Sequence, residues 1–150
     1  RLLDVIENNA LENVVVLTGD IHSSWANEIV RDPWRAYDPA TSEGALAVEF
    51  VTPAVTSSGL GAEGDVIYAQ VAIENNPHIK FVNAWSRGYI VLDVQLSRLQ
   101  CDFFHLDGVG AAEGNGFFRT GFTVKSGRSR LEEVTEPATP REGCAFAPDA

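Results

Sequence analysis

The chain has 150 residues and a formal net charge of −10, with 45% hydrophobic and 21% charged residues. That is enough for one globular domain with a buried core. The acidity disfavours nucleic-acid backbones and anionic membranes as partners, and no run of about 18 apolar residues offers a membrane span. The start, Arg1-Leu2-Leu3-Asp4, has no basic region leading into a long apolar one, so no signal peptide is expected there. A chain that begins at Arg and lacks methionine fits a piece of something longer. Cys101 falls in an apolar strand pattern and reads as a small buried hydrophobe. Cys144 lies near the end, and neither its position nor its spacing decides whether the two pair or resembles a zinc knuckle.

Leu2, Leu3, Val5 and Ile6 predict a short amphipathic helix ending near Asn8-Asn9. Val14-Val15-Val16-Leu17 follows as a strand expected to be buried on both faces, because it is unbroken and rich in β-branched residues. Gly19 ends it, and its missing Cβ is read as what permits a tight turn. Ala26 to Val30 predicts a second strand stopped by Asp32-Pro33. A loop then runs from Trp34 to Gly44, where Trp34 and Tyr37 either form an aromatic surface or pin the loop to the body. Ala47 to Val51 alternates, with Val48 and Phe50 on one face, and Pro53 ends regular pairing. After the polar loop 56–61, Glu63 to Asn75 predicts a helix closed by Asn76-Pro77. Strands are expected over Lys80–Ala84, Tyr89–Leu96 and Leu99–Leu106, the last two as an antiparallel hairpin joined at Ser97-Arg98. In the second of them Ile90, Leu92, Val94 and Leu96 share a face. Gly108 to Gly116 reads as a loop, with further strands over Phe117–Lys125 and Arg130–Val134. The expected division is a folded unit over 1–134 and an irregular tail over 135–150, rich in Pro and either flexible or laid over the surface.

Asp20 and His22 stand just past the carboxyl end of the valine strand, where open α/β sheets bind ligands. A hard carboxylate oxygen and an imidazole nitrogen on one turn can converge on a metal ion or a phosphate oxygen. Alone, Gly-Asp-x-His is also ordinary turn chemistry. The context is more specific. Asn13-Val14-Val15-Val16-Leu17-Thr18-Gly19-Asp20-Ile21-His22-Ser23-Ser24-Trp25-Ala26-Asn27-Glu28 resembles the signature of the alkaline phosphatase D family. Two further blocks of that family are resembled by Glu49-Phe50-Val51-Thr52-Pro53-Ala54-Val55-Thr56-Ser57-Ser58-Gly59, and by Asn76-Pro77-His78-Ile79-Lys80-Phe81 with Arg87-Gly88-Tyr89. The resemblance covers about residues 1–110.

It implies an α/β fold that is β-rich in this piece, as part of a four-layer α/β/β/α metallophosphoesterase sandwich. It implies hydrolysis of phosphate mono- or diesters with metal ions, iron with calcium or other divalent ions, outside the cytoplasm. Asp20 and His22 carry over as metal ligands, with His22 also catalytic, while Trp25, His78 and Arg87 are candidates for the substrate site. The family's earlier motifs, an Asp-rich strand end and an Asn-His-Glu/Asp-type turn, have no counterpart here. The resemblance therefore implies a carboxyl-terminal portion whose partner is the remainder of its own phosphoesterase domain, and which is inactive without it. Cations would reconcile an acidic chain with an anionic substrate by inverting the local field; the acidity is equally a solubility feature.

Other readings weigh against several of these residues. Gly59-Leu60-Gly61-Ala62-Glu63-Gly64 matches G-x-G-x-x-G, but Pro53 interrupts the strand before it and no acidic residue ends the next strand. The glycines are read as loop flexibility. Trp25 either walls a pocket or packs beneath the loop, and His78 either approaches the site or is a hydrogen-bonded structural residue. Arg87 either binds a phosphate oxygen or pairs with a carboxylate. Ser57 and Ser58 lack a nucleophile elbow, and His105 belongs to a strand. The rival reading is a β-rich binding domain with Trp25, Trp34 and Trp85 as its contact surface.

Overall fold

The computed structural model describes residues 1–59, 62–108 and 115–140. The elements are α1 (Leu2–Asn8), β1 (Val15–Thr18), β2 (Ser24–Val30), β3 (Ala45–Val51), α2 (Ala62–Asn75), β4 (Ile79–Asn83), β5 (Gly88–Val94), β6 (Arg98–Leu106), β7 (Gly116–Lys125) and β8 (Glu132–Val134). The strands form two four-stranded sheets, ordered β1-β3-β2-β4 and β5-β6-β7-β8. In the first, β1 runs parallel to β3 while β2 is antiparallel to both β3 and β4. The second is an antiparallel meander.

Alternation along the strands decides what lies between the sheets. Ala26, Val48 and Phe50 of the first sheet meet Cys101, Phe103, Phe122 and Val124 of the second, with Phe81 packed against them. Phe103 is the hub, its ring 6.3 Å from Phe50, 5.2 Å from Phe81 and 6.4 Å from Phe122. Each such side chain contributes roughly 1.5–3 kcal/mol by burial. The opposite face of the first sheet presents Trp25, Val51 and Val82 to α2 through Ala69 and Ala72. The result is a β-rich α/β arrangement of helix on sheet on sheet, as part of a layered sandwich would be.

One buried carboxylate joins the layers. Glu28 shares the inward parity of Ser24 and Ala26 on β2, and it is fully buried. It accepts hydrogen bonds from Tyr37 Oη (2.5 Å), Ser42 Oγ (2.9 Å) and the Leu131 backbone N–H (2.8 Å), with Lys80 Nζ at 3.9 Å. These bonds satisfy an ion that would otherwise be costly to bury, and they tie β2 to the 37–42 loop and to the second sheet. Tyr37 thus pins its loop, and Trp34, 70% exposed, reaches the Asn75 carbonyl at 3.3 Å.

Two expectations change. The valine strand is not buried on both faces: Val15 and Val16 are half-buried and Leu17 is 53% exposed. The reason is its place at the edge of the sheet that this span of the domain forms by itself, which an apolar run cannot reveal. The β5–β6 strands pair as expected, but the turn is Gln95–Arg98, closed by Gln95 N–H to Arg98 O at 2.8 Å. Leu96 is therefore at the turn tip, fully exposed, rather than on the core face. Residues 136–138 lie along β6: Gln100 Nε2 donates to the Glu136 carbonyl (3.1 Å), and Ala138 N–H donates to the buried Asp102 carboxylate (2.8 Å). Cys101 is buried and has no disulfide partner among the described residues. Cys144, the rest of the tail, most of the 108–116 loop, and Leu60 and Gly61 of the glycine motif lie outside the described residues.

His105 makes the fold sensitive to acid. It is fully buried on β6, hydrogen-bonded through Nε2 to Ser24 Oγ at 3.1 Å and set edge-on to Phe117. Burial, and secondarily the charge of Arg119, push its pKa down to about 4, against about 6.5 in an unfolded chain. Between those values only the unfolded state binds the proton. The contribution to stability is therefore full above about pH 6.5 and is lost as pH falls toward 4. Thermal melts should show a loss on the order of 3 kcal/mol across that window, and His105→Gln should remove most of this slope. An unchanged slope in the variant would assign the acid sensitivity to other groups.

Candidate metal and phosphate site

Parallel pairing brings two loops to one edge. β1 and β3 are in register from Val15↔Val48 to Thr18↔Val51, and Thr52 N–H donates to Thr18 O at 2.9 Å. Both strands therefore release the chain at the same carboxyl edge, where loops meet and ligands bind in α/β sheets. One loop carries Gly19 to Ser23 and the other Thr52 to Gly59.

The first loop is strained. Ile21 N–H donates to the Gly19 carbonyl at 2.9 Å, a three-residue turn centred on Asp20, whose φ is 72°. That φ matches the rare form of the γ-turn. His22 follows with φ 60°. Left-handed backbone at non-glycine residues costs on the order of 1–3 kcal/mol each and gathers at functional sites; Asp and His are among the residues that tolerate it best. This corrects the expectation for Gly19. A Cβ there would meet only Thr52 Cγ2, at 3.4 Å, and the left-handed positions are Asp20 and His22. The loop is tied down behind them by Trp25 Nε1, which donates to Ser23 Oγ at 2.6 Å.

The second loop orients the imidazole. His22 Nδ1 lies 3.0 Å from the Ser58 carbonyl oxygen. A carbonyl only accepts, so Nδ1 carries a proton, and in the neutral ring Nε2 keeps its lone pair. This is the arrangement that metal-ligating histidines adopt, with one ring nitrogen held by an acceptor and the other left for the cation. His22 borders a hollow of about 390 Å³ shared with Ile21, Ser23, Ser58, Gly59, Tyr68 and Ala84. Asp20 is exposed beside it. A neutral nitrogen and a hard carboxylate oxygen suit a metal ion, but they are only two donors. Among the described residues no group of three or more His, Cys, Asp or Glu side chains could hold one.

Beneath the turn, on the outer face of the first sheet, Glu49 accepts from Thr18 Oγ1 (3.0 Å) and Asn27 Nδ2 (2.9 Å). This trio borders a groove of about 450 Å³ that continues past Trp25 to His78. His78 thus belongs to the groove and does not border the hollow around His22. Its Nδ1 is buried without a hydrogen-bond partner among the described residues, and burial, then Lys80, lowers its pKa against the opposing pull of Glu28. Trp25 does both things expected of it: it borders the groove, yet is only 9% exposed and sets its ring edge-to-face against Tyr68 at 5.9 Å. Its burial removes it from an aromatic contact surface with Trp34 and Trp85.

Arg87 is buried rather than held out toward an anion, and no ion pair engages it among the described residues. Its guanidinium lies against Gly59, where a Cβ would come within 2.7 Å of Nη1. A side chain at 59 would thus have to displace the guanidinium and crowd the Ala84 carbonyl, 3.1 Å from that Cβ. Ser58 acts through its carbonyl, a role no side-chain motif could announce. Glu28 was detectable in principle, as an acid at an inward-facing strand position.

Comparison with known proteins agrees with this architecture. The sequence pattern of the PhoD-like phosphatases matches residues 1–103. Over 103 residues the chain is 37% identical to alkaline phosphatase D of Bacillus subtilis (strain 168), covering 69% of this chain and 16% of that protein. A solved structure of PhoD superposes with a TM-score of 0.75 at 31% identity, covering 95% of this chain and 26% of that one. The chain therefore spans well under a third of the length of these relatives, and within that span it belongs to the PhoD-like phosphatase family.

Proposed function

We propose that the chain contributes Asp20 and His22 to the metal centre of a phosphoester hydrolase, acting with the remainder of its phosphoesterase domain on phosphate mono- or diesters outside the cytoplasm. The observation that carries this reading is the His22 Nδ1–Ser58 hydrogen bond on a strained turn at the carboxyl edge of β1. Family membership supports the phosphate-ester chemistry, and the two donor types suit iron with calcium or other divalent ions. A cation held there would supply charge to bind the phosphate and to activate a water molecule.

The chain's own residues then have separable tasks. Asp20 provides the negative charge that a hard cation requires, held by its backbone at the tip of the turn. His22 provides Nε2 as a neutral donor, fixed in direction by Ser58. Trp25 braces the turn through Ser23 rather than touching substrate, and His78 lies along the groove at a distance from these two. The binding-domain alternative loses its main support with the burial of Trp25.

Two substitutions test the assignment in the complete phosphoesterase. Asp20→Asn keeps the size, and Asn tolerates left-handed backbone nearly as well as Asp. It should leave the melting temperature unchanged while lowering bound metal and reducing kcat/KM by roughly two orders of magnitude or more. Normal metal content and turnover would remove Asp20 from the site. His22→Ala should likewise depress kcat/KM. A His22 that serves only the fold would show a lowered melting temperature with near-normal turnover, so both quantities are measured on the same variant.

A further inference from the structure

Arg87 is a buried cation, 8% exposed, whose Nε has no hydrogen-bond partner among the described residues and whose Nη1 donates to the Trp85 carbonyl at 2.7 Å. Desolvating a guanidinium is costly, so its placement needs a reason. Its surroundings give one. The residue is fixed by its backbone to the second sheet, where Leu106 N–H donates to the Arg87 carbonyl (2.8 Å), while the adjoining Gly88 N–H donates to the Ala54 carbonyl of the 52–59 loop (3.1 Å). From that anchor the guanidinium fills the space any side chain at position 59 would occupy, since a Cβ on Gly59 would lie 2.7 Å from Nη1 and 2.9 Å from Nη2. Gly59 directly follows Ser58, whose carbonyl holds His22.

We propose that Arg87 is a positioning residue: braced on the second sheet, it props the loop at Gly59 so that the Ser58 carbonyl accepts from His22 Nδ1–H and Nε2 is left available. This rests on the reading of His22 as a ligand, but its test does not. A loop that shifts by a fraction of an ångström at 59 also moves the carbonyl at 58, and the histidine tautomer is set by the bond its other nitrogen makes. Arg87 thus acts on the site through the backbone, without touching substrate.

The tautomer of His22 is read directly from long-range proton–nitrogen correlation spectra of the labelled chain, above the imidazole titration range, with His22→Gln identifying the signal. The wild-type chain should show His22 almost entirely as the Nδ1–H form. Arg87→Gln should lower that fraction to on the order of half. Gly59→Ala, which keeps the guanidinium but displaces it, should do the same, and it decides the matter if Arg87→Gln fails to fold. A folded variant that retains the wild-type Nδ1–H signature would overturn the proposal, as would a wild-type chain lacking it. Manganese binding, followed separately on the complete phosphoesterase and on its Asp20→Asn variant, tests the ligand reading. A fixed tautomer without manganese affinity would remove that reading and leave the positioning role standing.

Discussion

Parallel pairing of β1 with β3 is the constraint on which the site depends. Antiparallel neighbours release their loops at opposite edges, whereas these two strands release theirs at the same one. The Asp20 turn and the 52–59 loop are thereby brought together, although Ser58 lies 36 residues from His22 in sequence. The Thr18–Glu49–Asn27 hydrogen bonds brace the same strand ends from the outer face. The second sheet enters as a foundation: the Phe103 cluster and the Glu28 carboxylate fix it to the first, and Arg87 reaches from its margin to the loop at Gly59.

The site stores strain against this rigid base. Two left-handed residues within three positions are unfavourable for an isolated loop. They persist here because hydrogen bonds over-determine the turn: Ile21 to Gly19, Trp25 to Ser23, and His22 to Ser58. What the strain supplies is direction. It leaves Asp20 exposed and sets the His22 imidazole against the Ser58 carbonyl at the same strand end. Among the described residues the donor count remains two, so the proposed metal centre needs further ligands from the remainder of the domain.

Much of the fold was legible because side-chain period is a local property. The alternation of Val48 and Phe50, the helix closed by Asn76-Pro77 and the β5–β6 hairpin each follow from a few neighbouring residues. The errors share a cause in the opposite direction. Burial of the valine strand depends on which strands lie beside it, and the crowding at Gly59 comes from an arginine 28 positions later. Leu96 continued the alternation of its strand while belonging to the turn, since periodicity does not mark where pairing stops. For the site, family resemblance singled out Asp20 and His22. The Ser58 carbonyl, a main-chain atom from a distant loop, left no trace in residue type.

The central claim is that these residues hold part of a phosphoesterase centre, with the remaining ligands supplied from elsewhere in the domain. A two-metal site holds its ions about 3.5–4 Å apart with several oxygen or nitrogen ligands, and Asp20 with His22 cannot provide that alone. The most direct measurement is steady-state hydrolysis of a chromogenic phosphomonoester and a phosphodiester by the purified 150-residue chain, with calcium, iron, manganese and zinc added in turn. The account predicts no metal-dependent turnover. Turnover near that of a complete family enzyme would contradict it, showing that the centre is whole within this chain.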